Sequence, residues 1–227
     1  LGSKAEKWIP MTMQETEDQG AAEQVARDAL RRRFPQGADR LEAYAGILRD
    51  RGIEWGLLGP REAGKVWSRH ISNSLALVDV LGQGVDAADI GSGAGLPGIP
   101  MALCRPDLRV VLLEPLLRRF NFLNIAVEEL GLADQVEVQR LRAEDCDEVF
   151  DAVICRAVAP LEKLLKWTTP MFFPDGELLA LKGAGAEEEI AKASKRLNGY
   201  QLTAQVLQVR AAPEVEGARA IRVTKSI

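Results

Sequence analysis

Hydrophobic positions recur at two different periods along this chain, and the period changes near residue 84. Over residues 21–34, Val25, Ala29 and Leu30 return at helical spacing with polar residues between them, until Pro35-Gln36-Gly37 breaks the run. A second helical pattern covers residues 40–51, with Leu41, Tyr44, Ala45 and Leu48 on one face and Gly52 as its C-cap. A third covers residues 61–81, with Val66, His70, Leu77 and Leu81 on related faces, and Gly82 and Gly84 close it. The first twenty residues are polar and acidic with no apolar period, which predicts a mobile extension.

Beyond residue 84 short apolar runs alternate with helical patterns. Strands are expected at residues 85–90, 109–113, 136–141, 151–155 and 177–182, and helices at residues 98–104, 116–130, 161–167 and 187–197. The run Arg109-Val110-Val111-Leu112-Leu113 has the composition of a strand buried on both faces. Residues 200–209 and 219–225 read as two extended segments without a helix between them, hence an antiparallel pair. The alternation predicts an α/β fold, a doubly wound, mostly parallel seven-stranded sheet of Rossmann-like type with an antiparallel C-terminal strand, preceded by a small helical region. The expected organisation is therefore an extension at 1–20, helices at 21–84 and the α/β domain at 85–227.

Composition narrows the chemistry. The 227 residues suffice for one substantial core with a small appendage. The single histidine argues against metal clusters and Ser-His-Asp triads, so no metal is expected. Cys104, Cys146 and Cys155 lie far apart without metal-type spacing and read as reduced thiols in a cytoplasmic protein. No apolar run is long enough to cross a bilayer, and the opening stretch lacks the layout of a secretory leader, so no membrane partner is expected. A net charge of −4 counts against a simple nucleic-acid binder. Local basic clusters, such as Arg31-Arg32-Arg33 and Arg118-Arg119, still leave room for a patch that meets RNA.

The most informative stretch is Asp89-Ile90-Gly91-Ser92-Gly93-Ala94-Gly95-Leu96-Pro97-Gly98, which follows a strand and opens a helix. It contains both GxGxG and GxGxxG spacings, so a dinucleotide reading stays open. Asp89 favours S-adenosylmethionine, because a carboxylate there suits an ammonium group and repels a pyrophosphate. Glu114, at the end of the second strand, sits where an acid hydrogen-bonds ribose hydroxyls in either cofactor class.

These motifs form an ordered series. DIGSGAGLPGIP is followed by EPLLRRFNFL, RAEDC, ICRAVAPL and LALKG, with WSRHISNSL before it. The series resembles the ribosomal RNA small-subunit methyltransferase G family, also called glucose-inhibited division protein B, from about Trp55 onward. The resemblance implies a class I methyltransferase fold and methyl transfer from S-adenosylmethionine to N7 of a guanine in 16S rRNA of the small ribosomal subunit. It places cofactor contacts on Gly91, Leu96, Ala143, Glu144 and Arg156; Gly93, Gly95 and Glu114 fit the general cofactor geometry of the fold. Gly56-Leu57-Leu58 stands where the family usually has Asn-Leu-Thr, so a polar contact from that loop is absent.

Guanine N7 has a free lone pair, so the expected chemistry needs alignment rather than a general base. Arg156 is the expected working residue, holding the cofactor side of the pocket and orienting the base. Arg118, Arg119 and Lys182 are candidates for RNA phosphates, and His70 for an RNA contact or a structural role. Cys155 reads as a packed thiol, and Trp55 and Trp67 as packing between the helical region and the sheet. A monomer is expected. Methyl transfer to a small molecule or protein, and a binding module without turnover, remain the alternatives.

Overall fold

The computed structural model describes residues 13–226. The β-strands are β1 Asp86–Ile90, β2 Arg109–Leu113, β3 Val136–Gln139, β4 Ala152–Arg156, β5 Glu177–Lys182, β6 Leu202–Val209 and β7 Ala218–Lys225. They form one seven-stranded sheet in the order β3-β2-β1-β4-β5-β7-β6. β1 to β5 pair in parallel, whereas β7 runs antiparallel between β5 and β6. The strand order reverses beside β1, which pairs with β2 on one side and β4 on the other. A crevice therefore opens at the carboxyl ends of β1 and β4, where open α/β sheets bind ligands.

Period-two burial explains the layers. Ala87, Val110, Leu112, Ala152 and Ile154 face one core, while Ala88, Val111, Leu113, Val153 and Cys155 face the other. The second core is covered by α6 Leu161–Phe172 and α7 Ala186–Gly199. The first is covered by α4 Gly98–Cys104, α5 Leu117–Glu129 and the N-terminal helices α1 Met13–Arg33 and α2 Ala38–Ile47. Leu30, Leu41, Tyr44 and Trp67 belong to the same apolar cluster as Val110 and Leu112. The helical region thus shares a core with the sheet. Trp67 is fully buried in it, and Trp55 meets Phe122 of α5 edge-on with ring centroids 6.0 Å apart.

Two expectations change. The extension expected at 1–20 is helical from Met13, and its first twelve residues lie outside the described residues. Tertiary contacts hold α1: Gln19 Nε2 donates to the Gly64 carbonyl at 2.8 Å. The Glu23 carboxylate accepts from the backbone N–H groups of Trp67 at 3.1 Å and Ser68 at 2.8 Å. The single helix expected over 61–81 is instead three short pieces. They are a 3₁₀ segment at Pro60–Lys65, a π-type turn at Val66–Ile71 and α3 Ser72–Leu75. Serine hydroxyls bond back to the main chain here, Ser72 to the Trp67 carbonyl and Ser74 to the His70 carbonyl, both at 2.7 Å.

Candidate active site

The glycine loop is built from its own backbone and two buried acids. Gly91, Gly93 and Gly95 all have positive φ, at 64°, 60° and 94°. At Gly95 a Cβ would lie 2.4 Å from Ile99 Cδ1 and 3.2 Å from the Tyr44 hydroxyl, so only glycine fits. At Gly93 a Cβ would meet nothing nearer than the Gly91 carbonyl at 3.8 Å, so that side of the loop is open. Glu114 accepts from Gly93 N–H and Leu116 N–H, both at 3.0 Å, and is 1% exposed. Asp89 accepts from Gly98 N–H at 3.0 Å through Oδ2. Among the described residues its Oδ1 is buried without a hydrogen-bond partner. Burial pushes the Asp89 carboxyl up to about 7, against the opposing pull of Gly98 N–H, Ser92 and Arg156. From α2, the buried Tyr44 hydroxyl donates to the Ala94 carbonyl at 2.8 Å and latches the loop to the helical region.

Arg156 ends β4 beside this loop and is half-buried. Its Nη1 donates to the His70 carbonyl at 3.2 Å, and its Nη2 donates to His70 Nδ1. The chain then turns at Ala157, a non-glycine residue with φ 55°, a conformation that recurs at functional sites. Val158 lies over Gly91, where an added Cβ would come within 3.0 Å of its Cγ2. Arg156, Asn73, Arg69 and Gly183 line a cleft of about 490 Å³. A groove of about 930 Å³ shares Arg69, Asn73 and Gly183 and runs out past Lys65 toward Arg219.

The remaining expected site residues divide. Leu96 is buried beneath the loop, Ala143 and Glu144 form a 3₁₀ turn after β3, and Glu144 is exposed. Arg118 and Arg119 are exposed on the first turn of α5, with the Arg119 guanidinium 3.8 Å from Glu114. Two of the RNA candidates have partners inside the protein, and for His70 this is the structural role the sequence also offered. Lys182 is only 9% exposed, and its ammonium donates to the Ala159 carbonyl and to Glu189, both at 2.7 Å. It ties β5 to the 157–160 turn and to α7, because a buried ammonium needs partners. His70 is 4% exposed with both ring nitrogens engaged inside the protein, so no edge is left for RNA. Sequence reasoning missed Tyr44 and Glu62 altogether. Tyr44 read only as an apolar-face residue, and Glu62 lies in a segment with no motif of its own.

Cys155 is buried and burial pushes its thiol up to about 12, which fits a packed side chain rather than a nucleophile. Among the described residues no three His, Cys, Asp or Glu side chains gather as metal ligands, and no helix is long and apolar enough to cross a membrane.

The sheet order, the glycine turn after β1 and the acid ending β2 define a Rossmann-like methyltransferase fold. Solved structures share it: mitomycin 7-O-methyltransferase MmcR superposes with a TM-score of 0.57 at 16% identity, over 84% of this chain and 68% of that one. P. horikoshii TYW2 in complex with MeSAdo gives 0.55 at 16% identity, over 68% and 62%. Closer relatives specify the family. The family model for rRNA small subunit methyltransferase G matches residues 38–216. The ribosomal RNA small subunit methyltransferase G of Kineococcus radiotolerans is 48% identical over 85% of this chain and 74% of its own length. That of Mycolicibacterium paratuberculosis is 56% identical over 66% of this chain and 61% of its own length. The chain belongs to the rRNA small subunit methyltransferase G family, and it is a methyltransferase.

Proposed function

We propose that this protein transfers a methyl group from S-adenosylmethionine to N7 of a guanine in 16S rRNA of the small ribosomal subunit. The observation that carries the reading is the unpartnered, buried Asp89 Oδ1 beside an open glycine turn and next to Arg156. A buried acceptor without a donor is costly, and an ammonium group of the cofactor is the donor that suits it. When bound, S-adenosylmethionine supplies an activated methyl group.

The chain's own residues bind, orient and exclude water. Asp89 would hold the amino end of the cofactor and Glu114 its ribose hydroxyls. Gly91, Gly93, Gly95 and Leu96 form the floor, and Ala143 with Glu144 flanks the adenine. Val158 and the turn after β4 close over the loop. Arg156 offers guanidinium donors to the O6 edge of guanine, adjacent to N7. N7 carries no proton to remove, so alignment is the whole task of the site. The neighbouring groups suit this: Cys155 is held as a thiol, and His70 is committed inside the protein. Arg118 and Arg119 remain exposed for RNA phosphates, and Lys65 and Arg69 edge the groove leading to Arg156. A cytoplasmic location and a monomer complete the reading.

The test is methyl transfer from labelled S-adenosylmethionine to small ribosomal subunits lacking the modification, with naked 16S rRNA in parallel and the product nucleoside read by mass spectrometry. The expected product is 7-methylguanosine. Cofactor binding without incorporation into either substrate overturns the rRNA assignment and favours a small-molecule substrate or binding without turnover.

A further inference from the structure

We infer that Glu62 and His70 are positioning residues that hold the Arg156 guanidinium toward the crevice through one imidazole, in the order Glu62–His70–Arg156. The inference rests on the assignment of Arg156 as the residue that meets the substrate. His70 Nε2 lies 2.7 Å from Glu62 Oε2, while His70 Nδ1 and the His70 carbonyl both receive donors from Arg156. An arginine has only donors, so Nδ1 must present its lone pair. The ring proton therefore sits on Nε2 and is given to the Glu62 carboxylate. Every hydrogen-bonding site of the imidazole is used, with the ring 4% exposed.

The chemistry explains why an imidazole suits this place. A carboxylate bonded directly to Arg156 would cancel its charge. A neutral imidazole accepts from Nη2 while the His70 carbonyl accepts from Nη1, which leaves the cation whole and the remaining N–H groups for a base edge or a phosphate. Glu62 fixes the ring's tautomer and orientation from behind, as an outer carboxylate does for a ligating histidine. The fold makes the arrangement possible through the break in the 61–81 segment. Glu62 lies in the 3₁₀ piece and His70 in the π-type turn, a device common at functional sites.

Burial and the Arg156 charge lower the imidazole to about 4, with Glu62 opposing and Arg69 assisting. The charged or titratable groups facing the relay are Arg156, Glu62 and Arg69, with Asp89 and Tyr44 acting on Arg156 from the loop side. Protonation of His70 would place a proton on Nδ1 against the guanidinium and break the relay.

The chain contains a single histidine, so its ring nitrogens can be read without assignment in this chain. Nitrogen-15 spectra of the wild type should show the neutral ring protonated at Nε2, persisting below pH 5, and Arg156→Ala should move its titration back toward the ordinary range. A wild-type ring protonated at Nδ1, or titrating near 6.5, overturns the relay. Function is read by a double-mutant cycle. Glu62→Gln should lower kcat for methyl transfer about tenfold to a hundredfold, with KM for S-adenosylmethionine within about threefold of wild type. Added to Arg156→Ala, it should lower kcat no further; independent, multiplying losses overturn the positioning role. His70→Asn, which keeps an acceptor near the Nδ1 position, should retain more activity than His70→Ala; equal losses count against it. If the wild type transfers no methyl to any ribosomal substrate, the functional reading fails and the catalytic role with it, whereas the spectra still decide whether the relay exists.

Discussion

The glycine loop and the Arg156 turn stand side by side at the carboxyl ends of β1 and β4, yet they are held by different means. The loop is held mainly from nearby in the chain. Asp89 accepts from Gly98, Ser92 Oγ donates to the Asp89 carbonyl at 2.7 Å, and Glu114 reaches back from the next strand. Among the described residues, the hydrogen bond that reaches the loop from the helical region is the Tyr44 latch. Arg156, by contrast, is held by His70, 86 residues earlier in the chain. The side read here as the cofactor side is thus set by backbone geometry, and the side read as the substrate side by tertiary packing. Specificity for a substrate can then change with the helical region while the cofactor turn stays as it is.

The comparison breaks first at Arg156. Replacing it by alanine should lower kcat for methyl transfer by about 10²–10³, the usual size of a lost positioned donor. The thermal midpoint should also fall, because the His70 carbonyl and Nδ1 lose their donors, so activity is compared at a temperature where both proteins are folded. Equal activity in the variant would remove its role.

Asp89→Asn tests the other side. It should weaken S-adenosylmethionine binding by about 1.5–3 kcal/mol in titration calorimetry, the worth of a hydrogen bond to a charged group. The wild type adds a pH signature. Burial raises the Asp89 carboxyl to about 7, so binding an ammonium below that pH must first release a proton. Affinity should rise as pH climbs toward 7 and level off above it, while the Asn variant should lack that dependence. A wild-type affinity independent of pH would detach Asp89 from the cofactor.

Tyr44→Phe should cost about 1–3 kcal/mol of folding stability in urea titrations, because it leaves the Ala94 carbonyl unpaired in a buried setting. A loss below about 0.5 kcal/mol would mean that the latch is solvated, since exposed changes fall in that range.

The last expected effect is a slope. His70 is lowered to about 4 in the folded protein, so the unfolded chain binds its proton first, and stability falls as pH drops from 6.5 toward 4. Asp89 is raised to about 7, so the folded state binds its proton first, and stability gains as pH drops over nearly the same range. The two contributions oppose each other in the wild type. Asp89→Asn removes one, and stability in that variant should fall more steeply with acid between pH 6.5 and 4 than in the wild type. An unchanged slope would mean that the two groups do not titrate as described.

Much of this was readable before any coordinates. The five parallel strands, the antiparallel end and the glycine turn were all signalled by period and by glycine spacing, and the Asp89 and Glu114 positions by their place at strand ends. Strand limits moved by a residue or two, as at β4, which begins at Ala152 and includes Arg156. The helical region was harder. Residues 61–81 carry apolar positions compatible with one helix, but serine back-bonds and packing against α1 split them. Lys182 and His70 carried the signal of polar residues near a crevice, and that signal does not say whether a partner waits inside the protein.

The layer architecture, the glycine turn and the family are all legible in the order of residues alone. Those features rest on properties of a few adjacent residues: side-chain alternation, glycine's access to positive φ, and an acid at a strand's end. Where the charges point is set by the packing of distant elements. Whether a cation faces solvent or is satisfied within depends on groups brought to it by the fold: Glu189 from the next helix and the Ala159 carbonyl from the neighbouring strand's turn for Lys182, His70 for Arg156. A buried charge must find its partner in space, and nothing in local spacing encodes that distance.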